Sequence, residues 1–407
     1  MQMNIPQKWI TKITACAAAL LLGLGGAAEH YALNLPDHFY KEADRPLTVA
    51  TALPVTFRSK TPSVPHVQEA EVRLFGMIPV KTVSLTTVAP ADVYVGGEPF
   101  GIRMLMAGCM VVSMSSIPGL PDDVSPAADA GIAVGDIIQE VNGRRITGNA
   151  DLQAAVSGSD GEAVSVTLLH GDAAETVSVQ PVYSPLTKRW QTGMWVRDST
   201  AGIGTVTYYM RTPAGKIRFA GLGHAVCDPD TGEQIPLASG DVIAVSVKDV
   251  RAGSAGRPGE LRGSFETGDS IGTLLANTPS GVFGMMQALP QRQKRVPLGF
   301  RQDIRRGEAV IYTTVDGTQP HPYTVEIEEI RSADESLRDL VIHVTDPALL
   351  ELTGGIVQGM SGSPIVQNGR LIGAVTHVFV QDPTRGYGIF AEHMYAQTAA
   401  FADAAGG

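Results

Sequence analysis

Cysteine is scarce: the 407 residues hold only Cys16, Cys109 and Cys227. Cys16 lies in an apolar N-terminal segment, so at most one disulfide, Cys109 with Cys227, is open to the chain, and a disulfide scaffold is excluded. Neither a CxxC pair nor an HExxH motif occurs, which leaves no signature for zinc and no metal or other cofactor to expect. Basic runs are missing as well. The densest is RQKR at 292–295, on a chain of net charge −10; phosphates need clustered cations, so nucleic acid is set aside as a partner. Lysine stops at Lys294, and nothing downstream of it can offer an amine as a base. No repeat of solenoid period is present, and the only low-complexity tract is the Ala/Gly-rich tail, residues 401–407.

What is there reads as a multidomain, β-rich protein. At 407 residues the chain exceeds one ordinary core, and two to three domains of roughly 100–200 residues are expected. Its 45 Gly and 26 Pro point to many turns and short strands. At the N-terminus Lys8 and Lys12 precede ITACAAALLLGLGGAA, which then meets Glu29 and His30, the pattern of a targeting element occupying residues 1–28. The run is long for the core of a signal peptide and short for a span of about 20 residues. A cleaved signal and a retained membrane anchor therefore both stand, and either implies export. A buried soluble helix fits less well, because the basic residues lie on one side only.

Residues 29–88 are Pro-punctuated and end in AEVRLFGMIPVKTVSL, whose alternation predicts one or two strands. Residues 89–183 contain AGIAVGDIIQEVNGRRI and the later DLQAAV, and on these this segment resembles a PDZ domain. PFGI then stands where such domains receive a peptide carboxylate, which assigns that work to the N–H groups of Phe100, Gly101 and Ile102, with Gly101 admitting a close ligand. The peptide adds a strand to the sheet edge in that reading; a module that only packs on its neighbour is the alternative. Residues 184–400 carry short alternating stretches such as GIGTVTYYM, KIRFAGLGH, DVIAVSV and DLVIHVT, the spacing of a barrel or sandwich.

Chemistry is best sought at GMSGSP, residues 359–364. Glycines on both sides of Ser361 permit a tight turn that aims successive N–H groups at one point, as an oxyanion hole requires. Asn368-Gly369 between two apolar runs marks a hairpin immediately after it. A serine hydroxyl needs a base. Of nine histidines, His30, His38 and His66 precede the folded modules, His170 lies in the PDZ-like segment, His321 in a Pro-flanked loop, His343 and His377 in apolar strands, and His393 near the tail. His224, in FAGLGHAVCDPDTGE, stands where a strand ends among glycines. Position alone leaves two readings open for each residue: a base or a structural histidine for His224, a nucleophile or a Gly/Ser turn for Ser361.

FAGLGHAVCDPDTGE, VTDPALLELTGGIVQGMSGSPIVQNGRLIGAVTHVF and LFGMIPVKTVSL together resemble the SpoIVB peptidase family of endospore-forming bacteria over nearly the whole chain. The resemblance implies a mainly β fold: a chymotrypsin-like double β-barrel serine peptidase preceded by the PDZ domain and the N-terminal segment. It implies Ser361 as nucleophile, His224 as general base, Asp346 as orienting acid, and the N–H groups of Gly359 and Ser361 as oxyanion donors. Asp346 lies only 15 residues before Ser361, with Asp228, Asp241 and Asp249 as competitors, and Asp before Pro equally predicts a helix N-cap. The resemblance further implies action in the forespore intermembrane space on a membrane-bound regulatory protein, release of sigma-K processing, and self-cleavage within 28–85. Its partners are then that substrate, its own N-terminal segment, and the membrane. Thr376 and His377 are candidates for the specificity pocket, with a core role the stronger expectation for His377. The alternative is a membrane-anchored PDZ scaffold whose peptidase-like domain is inactive.

Overall fold

The computed structural model describes residues 7–404 apart from 44–46, 48, 50, 60–66, 89–90, 121–123, 172, 267, 292–293 and 332–336. Two compact units emerge, Met1–Asp92 with Pro297–Arg305, and Val93–Val296 with Arg306–Gly407.

In the first unit the Ala/Leu-rich segment forms α1 (Gln7–Asn34), as strong helix formers should. Its stretch Ala15–Asn34 is long and apolar enough to cross a membrane, and Leu20, Leu21 and Leu22 are exposed. The helix runs past the segment expected to end at residue 28, because Tyr31 and Leu35 bury themselves in the core of the following sheet. That sheet comprises β1 (His38–Glu42), β2 (Val55–Ser59), β3 (Val67–Leu74) and β4 (Ile78–Val88), in the order β1-β4-β3-β2. AEVRLFGMIPVKTVSL is the β3–β4 hairpin, turned at Phe75 and Gly76 with φ of 54° and 73°. The expected self-cleavage zone takes in the end of α1 and the strands of this sheet, while 44–46, 48, 50 and 60–66 of it, with His66, lie outside the described residues.

The second unit begins with β5 (Asp92–Val95) and the long β6 (Pro99–Met114). The PDZ core follows: α2 (Pro126–Asp129), β7 (Ile137–Val141), β8 (Arg144–Arg145), α3 (Asn149–Ser157), β9 (Val164–His170) and β10 (Ala173–Val179). Val111, Ile138, Leu152, Val166 and Leu168 are buried at its centre with Cys109. A ribbon of β11 (Val182–Ser184) and β12 (Arg189–Gln191) leads into β13 (Met194–Arg211).

Two six-stranded barrels make up the rest. β14 (Ile217–Gly221), β15 (Leu237–Arg251), β17 (Gly272–Thr278) and β18 (Gly281–Met286) join β6 and β13 in the order β6-β15-β17-β18-β14-β13, and β13 pairs back to β6 to close the ring. Strand β16 (Glu260–Phe265) pairs on β15, and β19 (Arg295–Pro297) precedes the second barrel. Phe100 meets Phe219 edge to face inside the first barrel, with ring centroids 5.5 Å apart. The second barrel closes as β20-β21-β22-β25-β24-β23: β20 (Gly307–Thr313), β21 (His321–Ile330), β22 (Leu340–Val344), β23 (Pro364–Gln367), β24 (Arg370–Phe379) and β25 (Asp382–Phe390). Helix α4 (Pro347–Thr353) links β22 to β23, and α5 (Ala391–Ala404) ends the description.

The first half of β6 is a barrel strand and its second half a PDZ strand, so the PDZ core is inserted between two strands of the first barrel.

Candidate active site

The GMSGSP turn is held from two sides. Gly362 N–H donates to Val375 O at 2.7 Å and Val375 N–H to Ser363 O at 2.9 Å, which fix the turn to β24. From the first barrel, Thr205 donates its N–H to Ser361 O (3.0 Å) and its Oγ1 to Gly359 O (2.7 Å), while Thr207 Oγ1 donates to Gly362 O (2.7 Å). The fit leaves no room at Gly362: its φ is +95°, and an added Cβ would lie 2.0 Å from Thr205 O. Behind the turn, Asn368 and Gly369 take φ of 50° and 77°, the hairpin their sequence predicts. Ser361 is left half-buried with its Oγ donating to Thr376 O at 2.7 Å. Among the described residues, the N–H groups of Gly359 and Ser361 make no hydrogen bond, so both remain available to a developing oxyanion.

His224 follows β14 after two left-handed residues, Leu222 (φ 65°) and Gly223 (φ 72°), which turn the chain sharply at the barrel rim. Its Nδ1 lies 2.7 Å from Ala225 O. A carbonyl can only accept, so Nδ1 carries the hydrogen and Nε2 keeps its lone pair for a proton. Burial lowers the imidazole's pKa, and the bond to Ala225 offsets that only in part, so the ring is neutral near pH 7. The ring of His377 stands 4.8 Å from that of His224, centroid to centroid. Thus Thr376 accepts from the serine while the next residue packs on the histidine.

The buried run of β24, Leu371 to Thr376, ends where its pairing with β25 shifts register, and His377 is exposed, which corrects the core role expected for it. Desolvation, then the charges of His224 and Arg338, push its pKa down to about 4.

Asp346 is placed elsewhere than an orienting acid requires. It is the N-cap of α4: Oδ1 accepts from Ala348 N (3.0 Å) and Leu349 N (3.3 Å), and Oδ2 from Thr324 N (3.2 Å). No hydrogen bond joins it to His224; an Asp before Pro is well suited to satisfy orphan helix N–H groups, and here both oxygens do so or tie down β21. The competitors lie elsewhere too. Asp241 pairs with Arg103 (2.7 Å), Asp249 lies 3.9 Å from Arg262, and Asp228 binds Arg197. Cys109 and Cys227 are both free thiols, and among the described residues no His, Cys, Asp and Glu cluster suits a metal.

The carboxylate-loop assignment also needs correcting. Phe100, Gly101 and Ile102 pair with Gly204, Ile203 and Gly202 on one side and with Ala244, Ile243 and Val242 on the other. A strand bonded along both edges has no N–H groups left for a ligand. Gly101 does serve a close approach, but to the Phe265 ring, which a Cβ would meet at 2.4 Å. The peptide-sized opening of the PDZ region is instead a cleft of about 510 Å³ between α3 and the start of β13. Leu152, Gln153 and Val156 line it from the helix, and Trp190, Met194 and Trp195 from the strand side. From Met194 to Arg197, β13 pairs only with β6 among the described residues, which leaves its other edge open to them. Sequence reasoning missed Thr205, Thr207 and this strand because neither an isolated hydroxyl in an alternating strand nor an unpaired edge leaves a motif.

The family model described as SpoIVB peptidase S55 matches residues 188–395, and the PDZ domain model matches 100–180. Among curated proteins, probable periplasmic serine endoproteases, DegP-like, of Brucella suis and Brucella abortus are 33% identical over 144 residues. The match covers 35% of this chain and 28% of each relative's length. Among solved structures, the PDZ domain of an SdrC-like protein from Listeria monocytogenes is 24% identical, over 22% of this chain and 87% of that one, with a TM-score of 0.19.

Proposed function

Because the chain belongs to the SpoIVB peptidase S55 family, we propose that it is a serine endopeptidase in which Ser361 is the nucleophile and His224 its general base. The observation that carries this reading is the convergence of the two groups on neighbouring residues of one strand, Thr376 and His377, beside two unbonded N–H groups. The Ser361 hydrogen turns from Thr376 O to Nε2 of His224 as Oγ attacks the scissile carbonyl. Gly359 and Ser361 N–H then hold the oxyanion. The imidazolium returns its proton to the leaving amine, and water repeats the sequence to release the acyl group. Ala225 O, which fixes the tautomer, takes over part of the task an orienting carboxylate performs in a triad, and Asp346 serves by holding α4.

The peptide-binding PDZ domain points to protein substrates, with the open edge of β13 offering main-chain bonds and the cleft offering apolar pockets. The apolar N-terminal helix suggests an extracytoplasmic location, as signal or anchor. Within that frame the family supports a finer reading: cleavage of a membrane-associated regulatory protein in the intermembrane space of a sporulating cell, release of sigma-K processing, and self-cleavage within 28–85 that frees the ectodomain. The experiment is labelling of the purified protein with a fluorophosphonate. Labelling that disappears in Ser361→Ala and His224→Ala supports the enzyme; an unlabelled wild type under every activating condition leaves the inactive PDZ scaffold.

A further inference from the structure

Among the described residues, His224 makes no hydrogen bond to a carboxylate; its ring is bonded to the backbone of the turn that carries it. That turn is anchored at two points. Asn277 brackets Val226, accepting from its N–H (2.8 Å) and donating to its carbonyl (2.8 Å) and to Ile235 O (2.9 Å). The second anchor is Asp228, whose side chain is fully buried. Its Oδ1 accepts from Asp230 N and Thr231 N, both at 3.0 Å, and its Oδ2 takes Nη1 of Arg197. Arg197 Nη2 reaches Asp230 at 2.7 Å. Burial opposes ionisation of Asp228, but the two N–H groups and the guanidinium outweigh it and hold the carboxyl below its usual range.

Arg197 belongs to the strand that borders the PDZ cleft, one residue beyond Val196 in its lining. Its neighbour Asp198, at the register shift of β13 between Arg197 and Ser199, accepts the N–H of Asn149 at 2.8 Å. Gly148, the N-cap of α3, has no side chain to do this. One residue of β13 therefore holds the cleft helix and the adjacent one holds the His224 turn.

Building on the peptidase reading above, we propose that Arg197 is a positioning residue of the active site, holding the His224 turn through buried Asp228 to the strand that borders the PDZ cleft. Removing Arg197 alone leaves a buried charge unpaired and threatens the fold, so the decisive variant is Arg197→Met/Asp228→Asn, which removes both charges together. Two readouts are taken on the full chain: the second-order rate of Ser361 labelling by a fluorophosphonate, and the titration of His224 followed by NMR of 13C-labelled histidine. The double variant is expected to melt as a single transition like the wild type, to label ~100-fold more slowly, as a misplaced base does, and to show a His224 midpoint moved up toward the ordinary histidine value. Arg197→Lys, which keeps the charge, recovers part of both. A double variant with wild-type rate and wild-type midpoint overturns the proposal, as does a rate that falls only with the folded fraction. Should the wild type not label at all, the peptidase reading fails, and an unmoved His224 midpoint in the double variant still rejects the positioning role by itself.

Discussion

Thr205 holds the carbonyl of Ser361 with its N–H at 3.0 Å and the carbonyl of Gly359 with its hydroxyl at 2.7 Å, so one residue of the first barrel grips at two points the turn that carries Ser361, the proposed nucleophile. The seam between barrels is where the site is made. The carbonyls that oppose the Gly359 and Ser361 N–H groups across their peptide planes, Gln358 O and Met360 O, accept from Leu261 N (2.8 Å) and Ser363 N (2.9 Å), so the Thr205 bonds fix the adjoining peptide planes of the same turn.

Thr205→Val tests this. The shape is retained and the N–H bond survives, but Gly359 O loses its donor in a buried place, which costs about 1–3 kcal/mol of stability. Since the loosened group flanks the oxyanion donors, kcat on a peptide substrate is expected to drop by about tenfold to a hundredfold with KM little changed. Thr205→Ser keeps the hydroxyl and should recover most of the rate. A valine variant with unchanged kcat would show that the grip is dispensable.

The two histidines predict an asymmetric pH response. Burial sets the lowered pKa of His224, so activity should persist below pH 6.5 and fall only as pH drops through that depressed value, where the base becomes protonated. His377 titrates later, to about 4, against a His224 already charged. In His377→Gln the activity midpoint should therefore stay where it is, whereas in His224→Gln the His377 titration, followed by NMR, should rise. Both folded-state values lie below the unfolded ones, so stability from these groups is present above about pH 6.5 and is lost as pH falls toward 4. A matched rise of the activity midpoint in His377→Gln would contradict this order of protonation.

Much of this was legible in the sequence where a local rule acts alone. Asn368-Gly369 specifies its hairpin, short alternating segments specify barrel strands, and glycines around Ser361 specify a turn that nothing larger can occupy. Three placements were not legible, each because it depends on a partner distant in the chain. Phe100, Gly101 and Ile102 look like a ligand loop until β13 and β15 are seen to use both edges. His377 looks buried until the buried run of β24 is seen to end at Thr376, where the pairing with β25 shifts register. Arg197 sits in no motif, and its role emerges only when the turn after His224 folds a buried carboxylate onto it.

Asp346 offers the sharpest remaining test, because its two candidate roles predict opposite patterns of loss. As the cap of α4 it gives three acceptor contacts, to Ala348, Leu349 and Thr324. Asparagine's oxygen keeps the cap, but its amide nitrogen cannot accept from Thr324 N, so Asp346→Asn should cost about 1 kcal/mol, while Asp346→Ala, which also loses the cap, should cost about 2–3 kcal/mol. Neither change reaches the His224 ring, whose tautomer is set by Ala225 O, so fluorophosphonate labelling per folded molecule should stay within about threefold of wild type in both. An orienting acid behaves in the reverse way: the amide keeps the fold but drops the rate by about 10⁴ through the wrong tautomer. Thermal unfolding and labelling rate measured on the same two variants decide between them. A folded, fully stable Asp346→Asn protein with a thousandfold slower labelling would return Asp346 to the triad and require the α4 cap to open when the site engages substrate.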